Sequence, residues 1–409
     1  MKTASMKRFL WSCVLLVGVA SCGGGGSSSS SSTSTAASTG QVTASANSVA
    51  VTVDATYGAV NVPYVSVTIC EAGTTTCATI DHVQVDSGSV GLRVLASALP
   101  SGFAQPVVSD PVSGEQFAEC AQFGSGYTWG PLTQYDITIG GETAHSVPVQ
   151  IINDSFASVP SQCSSTGVSM GASGTASLYA KGIIGLDVGR QDCGTGCASS
   201  ATNFYWICSG TSCTESTIAT TQQVSNPILG FSTDNNGMLL TLPAISNNGS
   251  TAVTGSLTFG INTQSNNQRS GATLLTTDAY GDFVSSFNGT ATQTFIDSGS
   301  NLYFFVNSTL ATCGSALPNF YCPASTTQLS ATLVGVTTGT LSTTLTIGNA
   351  LSLEATGHVA YNDIGVNTTV LQSSVLDLGM PYLFGKSVFF GISGADTSTA
   401  GGTPYVAVQ

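Results

Sequence analysis

The tetrapeptide Asp-Ser-Gly-Ser occurs twice in this chain, each time at the end of an apolar run: residues 83–94 read VQVDSGSVGLRV and residues 294–305 read TFIDSGSNLYFF. One such turn is ordinary strand-end chemistry, because Asp accepts from amides just ahead and Gly tolerates the bend. Two copies, each continued by Ser, constrain the fold far more. Each is also followed by a second apolar-Gly signal, Ile183-Ile184-Gly185 at 99 residues after the first Asp and Leu378-Gly379 at 82 after the second. A duplicated pattern of this kind predicts two related lobes, residues 48–220 and 221–409.

Both lobes read as β. Short β-branched runs alternate with Gly, Ser, Asn and Asp turns: Val49–Val53, Tyr64–Ile69, Thr79–Val85, Tyr135–Ile139, Val147–Ile152, Leu239–Leu242, Ser256–Phe259 and Thr343–Ile347. Brief helical turns are expected within Ser177–Leu186 and Pro381–Phe389. With 47 Gly and 7% charged residues, the composition opposes helical bundles and coiled coils. The formal net charge is −13, and three of only eight basic residues, Lys2, Lys7 and Arg8, fall in a leader. Nucleic acid and anionic membrane surfaces are thereby excluded as electrostatic partners.

The leader is a positive stretch ending at Arg8, an apolar run Phe9–Val19, and then Val19-Ala20-Ser21-Cys22. That tetrapeptide resembles a bacterial lipobox. The resemblance implies a signal peptide over residues 1–21, lipidation of Cys22, and export to the cell envelope, with Gly23 favouring the outer membrane. An ordinary secretory signal with an incidental Cys22 is the alternative. Residues 22–47 are Gly/Ser-rich with little to bury, and read as a disordered tether from the anchor to the first strand.

Setting aside Cys13 and Cys22, ten cysteines remain, an even number suited to disulfides in an oxidising compartment. Close spacing suggests Cys70 with Cys77 and Cys313 with Cys322. Cys193, Cys197, Cys208 and Cys213 allow several pairings, which leaves Cys120 with Cys163. A zinc site on the middle four is the weaker reading, since the spacing is loose for zinc knuckles.

At this level the sequence resembles the pepsin-like aspartic peptidases. In that family each lobe ends a strand in Asp-Thr/Ser-Gly-Thr/Ser, and a later hydrophobic-hydrophobic-Gly strand threads beside it. The resemblance spans roughly residues 48–409 and implies an all-β, bilobal acid-protease fold with a cleft between the lobes. It implies Asp86 and Asp297 as a catalytic pair acting on one water, without cofactor or metal, on a peptide or protein substrate. Ser89 and Ser300 would orient the outer carboxylate oxygens, Gly88 and Gly299 would let the backbone wrap the carboxylates, and Ser87 and Ser298 would bond across the lobes. Phe123-Gly124-Ser125-Gly126, with Tyr127 and later Gly130, is similar to the family's flap hairpin. The end, Leu378–Phe384 with Ser387–Phe390, is similar to its terminal strand-helix-strand.

Three positions depart from the pattern. Phe123 stands where the family usually has Tyr, so a flap hydroxyl is missing, with Tyr127 or Trp129 as nearby substitutes. Arg93 replaces a common Trp; pointing inward it would lower carboxylate pKa values, pointing outward it would be solvated. Asp377 lies two residues before the second threading Gly, where an apolar residue is usual, and is read first as a solvated strand end, with a third carboxylate near the site as the alternative.

Other chemistries find less support. Gly167-Val168-Ser169-Met170-Gly171 matches a hydrolase elbow formally, but polar residues precede it where an apolar strand is needed. His82 is a strand residue or turn donor, and Lys181 a surface residue. The rival to catalysis is a non-catalytic envelope lipoprotein of the same fold that binds a peptide or glycan between the lobes. A monomer is expected, touching the membrane only through its anchor.

Overall fold

The computed structural model describes residues 46–367, 375–396 and 399–409. The leader, Cys22 and nearly all of the tether lie outside the described residues. The first half contains β1 (Ser48–Val53), β2 (Pro63–Glu71), β3 (Cys77–Asp86), β4 (Val90–Leu95), β5 (Gln116–Phe123), β6 (Gly126–Ile139), β7 (Glu142–Ile152), β8 (Val168–Ser169), β9 (Gly182–Leu186), β10 (Tyr205–Ser209) and β11 (Ser212–Glu215). The second contains β12 (Gly237–Leu242), β13 (Val253–Phe259), β14 (Thr273–Thr276), β15 (Phe283–Phe287), β16 (Thr290–Ile296), β17 (Tyr303–Phe305), β18 (Thr327–Val334), β19 (Thr340–Ile347), β20 (Gly365–Asn367), β21 (Val375–Leu378), β22 (Lys386–Gly391) and β23 (Tyr405–Val408). All eight β-branched runs fall inside strands. Of the two stretches expected to hold helical turns, Pro381–Phe389 overlaps the turn Met380–Leu383, while Ser177–Leu186 meets only the end of the turn Thr175–Leu178 and otherwise holds β9; further short turns lie at Ser161–Ser164, Thr195–Ser199 and Ala350–Glu354.

The duplication seen in the sequence is also a duplication of strand order. In the first half β2-β3-β9-β4-β7 lie side by side; in the second, β15-β16-β21-β17-β20 do. In each set the strand leading into Asp-Ser-Gly-Ser pairs in parallel with the threading strand, β3 with β9 and β16 with β21. The threading strand then pairs antiparallel with the strand leaving the turn, β9 with β4 and β21 with β17. A parallel neighbour closes each set, β7 beside β4 and β20 beside β17. In the first half β2 additionally pairs with β6, so β6-β7-β4-β9-β3-β2 close into a ring.

Strands β4 and β9 are buried along their whole length, covered on both faces, whereas β3 alternates exposed and buried until its last four residues, Val83–Asp86, enter the interior. One apolar cluster runs through both halves, from Val51 and Val85 to Ile296, Leu378 and Val406. The halves are also stitched by backbone: β1 pairs with β13 from Ser48↔Thr258 to Val53↔Val253, while only Thr52 and Val53 pair with β2. Five disulfides join Cys70–Cys77, Cys120–Cys163, Cys193–Cys197, Cys208–Cys213 and Cys313–Cys322. The three expected pairs form, and the open set resolves into two local bridges that leave no thiolates for zinc.

Candidate active site

Each Asp-Ser-Gly-Ser turn folds around its own carboxylate. The Gly88 amide donates to Asp86 Oδ1 at 2.8 Å and the Ser89 hydroxyl to Oδ2 at 2.6 Å. In the second copy the Gly299 amide donates to Asp297 Oδ1 at 2.7 Å, and Ser300 Oγ lies 2.9 Å from Oδ2. Backbone amides and hydroxyls thus fix both carboxylates in plane and position. The threading glycines make the space. A Cβ on Gly185 would lie 2.5 Å from the Ser89 carbonyl carbon, and one on Gly379 would lie 2.1 Å from the Leu302 oxygen. Only glycine lets the second strand pass this close to the turn.

The two turns meet. The Ser87 amide donates to Ser298 Oγ at 3.0 Å and the Ser298 amide to Ser87 Oγ at 2.8 Å. Each hydroxyl passes its own hydrogen to the opposite strand, Ser298 Oγ to the Val85 carbonyl and Ser87 Oγ to that of Ile296. A further bond crosses from Gln84 Nε2 to the Gly299 carbonyl. This exchange brings Asp86 and Asp297 into hydrogen-bonding contact. A Cβ on Gly88 would lie 2.7 Å from the Asp297 carboxyl carbon. Both aspartates are buried, and Gly88 is the partly exposed point of its turn.

Burial, and then the charges of Asp86 and Asp377, hold Asp297 well above the usual carboxylate range. Two like charges in contact in a low-dielectric site cannot both persist, so such a pair retains a proton. Asp377 is a correction to the sequence expectation. It is not a solvated strand end: it is fully buried on β21 with its Oδ2 2.5 Å from Ser300 Oγ, and burial holds its carboxyl well above the usual range as well.

The residues read as a flap form the β5–β6 hairpin, in which Phe123 pairs with Gly126 across the Gly124-Ser125 tip. Phe123 is buried with Tyr64, Leu95, Met170 and Ile183. Neither substitute restores its missing hydroxyl. Tyr127 packs with Cys120, Trp129, Cys163 and Trp206 in a separate cluster and is bonded to Ser169, while Trp129 donates to the Ala157 carbonyl. The base of the tip is pinned by β8, which pairs Val168 with Gly126 so closely that a Cβ on Gly126 would lie 2.0 Å from the Val168 oxygen.

Arg93 overturns both expectations set for it. It is buried rather than solvated, and its charge goes to two carboxylates outside the dyad: Nη2 reaches Glu119 at 2.5 Å and Asp192 at 3.0 Å, and Tyr205 donates to Asp192 at 2.6 Å. Its guanidinium carbon sits 5.7 Å from the Phe123 ring centroid, so the hairpin rests against the cation. Of the remaining readings, Ser169 donates to Asp154 with no histidine in its described contacts, His82 bridges Asp54 and Asp81, and Lys181 pairs with Asp81 at the surface. Among the described residues no group of three His, Cys, Asp or Glu is placed to hold a metal ion.

A family model described as a protein of unknown function, DUF3443, matches residues 43–408. The chain belongs to the DUF3443 family. Among solved structures, the aspartic proteinase from Irpex lacteus is similar with a TM-score of 0.54, at 14% identity, over 88% of this chain and 96% of that one. No curated protein matches the sequence. At that identity the likeness carries the fold: this DUF3443 chain has the bilobal, pepsin-like β architecture.

The repeated sequence pattern holds both aspartates, the four turn serines and the threading glycines that the structure brings together. It missed Gln84, Glu119, Asp192 and Tyr205. The available signal was the placement of Arg93 and Asp377 inside otherwise apolar strands, which marks buried charge in need of partners.

Proposed function

We propose that this protein is an aspartic endopeptidase acting through Asp86 and Asp297. The observation that supports it most is the contact of the two carboxyl groups, each held by a Gly amide and a Ser hydroxyl, in a site too dry for both to ionise. A pair carrying one proton is a base and an acid at once. The ionised member takes a proton from a water that attacks the scissile carbonyl, while the protonated member donates to the carbonyl oxygen. The tetrahedral intermediate then collapses as the proton taken from water passes to the leaving amine, and the pair returns to its starting protonation. The water supplies both the oxygen that forms the new acid and the hydrogen that leaves with the amine. The amides of Gly88 and Gly299 stabilise the carboxylate charge throughout. Five disulfides agree with the further proposal that the protein works outside the cytoplasm, tethered by Cys22.

The test is hydrolysis of a mixed peptide library by the domain that begins after Cys22, from about pH 3 to 7, the span over which a shared-proton pair titrates. Cleavage is expected, and Asp297→Asn and Asp86→Asn are each expected to lower kcat by about a thousandfold or more with the fold intact. A folded wild-type domain that cleaves nothing at any pH sinks the peptidase reading and leaves the cleft as a binding site.

A further inference from the structure

The Ser300 hydroxyl lies within hydrogen-bond distance of two carboxyl oxygens, 2.9 Å from Asp297 Oδ2 and 2.5 Å from Asp377 Oδ2. A hydroxyl has one hydrogen, so it donates to one of them and accepts from the other, which must then carry a proton. Asp297 has the Gly299 amide as a second donor. The other oxygen of Asp377 is buried without a partner, and its side chain is fully enclosed on β21, opposite Phe304 of β17 and Phe295 of β16.

Among the described residues no cation compensates it. The titratable groups on the elements packed against β21 are Asp297 beyond β16, Tyr303 on β17 and Tyr382 in the following helical turn, with Asp86 reaching across from the other half. Tyr303 is itself held neutral by burial beside Tyr382 and Asp363. Lys386, the next cation along the chain, donates to the Tyr382 carbonyl. An ionised Asp377 would therefore be a buried charge with a single donor, the costlier of the two arrangements.

We propose that Asp377 is a positioning residue that, as a neutral acid, donates to Ser300 and so commits that hydroxyl's only hydrogen to Asp297. The inference rests on the aspartic-peptidase reading for its effect on catalysis, though not for the proton itself. Atoms run Asp377 Oδ2–H to Ser300 Oγ, then Ser300 Oγ–H to Asp297 Oδ2. Donation polarised in this way stabilises the singly charged pair and keeps it charged to lower pH. Ionisation of Asp377 would turn the Ser300 hydrogen away from the pair.

Two measurements separate this from the function on which it rests. Carboxyl-carbon NMR titration of aspartate-labelled protein, with the resonance assigned by its loss in Asp377→Asn, is expected to show Asp377 still protonated where the solvent-exposed aspartates have ionised, whether or not any peptide is cleaved. In kinetics, Asp377→Asn keeps an N–H donor for Ser300 and is expected to hold the acid limb of kcat/KM in place, while Asp377→Leu moves that limb up by about one pH unit. An Asp377 resonance that ionises together with the solvent-exposed aspartates, or an acid limb that stays put in a folded Asp377→Leu variant, overturns the proposal. Should Asp377→Leu fail to fold, the titration of the wild type decides alone. Absence of all peptidase activity beside a protonated Asp377 would overturn the functional reading while leaving the proton assignment standing.

Discussion

At the scale of single residues, the site depends on side chains that are missing as much as on those present. Gly88→Ala would place a methyl group 2.7 Å from the Asp297 carboxyl carbon, and neither partner can retreat without breaking its bonds to Ser298 or Gly299. The variant is expected to retain both carboxylates and lose at least a hundredfold in kcat, measured beside a denaturation curve that stays cooperative. The crossed serines act differently. Ser87→Ala with Ser298→Ala removes both members of a reciprocal exchange and is expected to cost about 2–4 kcal/mol, less than the sum of the single changes, by urea unfolding. The Asp, Ser and Gly positions were legible because turn chemistry is local and the pattern recurs. Arg93 and Asp377 were not, because a charge in sequence is read as solvated until its partners are known: Asp192 lies 99 residues from Arg93, and Ser300 lies 77 from Asp377.

At the scale of elements, the β5–β6 hairpin is held by three separate means: the Cys120–Cys163 bridge to the turn Ser161–Ser164, the strand β8 at its tip, and the Arg93 cation under Phe123. Replacing both Cys120 and Cys163 by Ser opens a loop closed over a separation of 43 residues. This is expected to cost about 4 kcal/mol on the chain-entropy estimate and to raise amide hydrogen exchange over residues 116–131 above the rest of the molecule. Arg93→Met should be a change of comparable size at neutral pH. It strands Glu119 and Asp192 in the interior, at about 3–5 kcal/mol, and the loss should shrink on acidification as Asp192, which burial already holds up, takes a proton, which melting curves at two pH values would resolve. The hairpin was legible from its Gly-Ser-Gly tip. Its restraints were not, since the pairing of β8 with β6 joins a two-residue strand with no periodicity of its own.

At the scale of the whole molecule, the buried carboxyls set how stability responds to acid. Burial raises Asp192, Asp297 and Asp377, and lifts Asp363 from near 3.8 to about 7. Between those two values the unfolded chain ionises Asp363 while the folded chain keeps its proton, so the folded state binds more protons and loses stability as pH rises. The contribution is fully present below about pH 4 and gone above about pH 7. The carboxylates held low, among them Asp81 at about 2, weaken only below that window. Melting temperature is therefore expected to rise from pH 7 to about pH 4, with Asp363→Asn flattening the slope; a melting temperature that falls steadily on acidification would contradict this. Two related lobes were legible from the duplicated motif, whereas the seam between them was not, because strand partners far apart in sequence leave no mark on either strand alone. That seam dictates an order of assembly during synthesis. Strand β1 finds most of its pairing on β13, so the earliest of the described strands to be made waits, with one edge open, until residues 253–259 have followed it. The first half is therefore closed only once the second has supplied β13 to hold its outermost described strand.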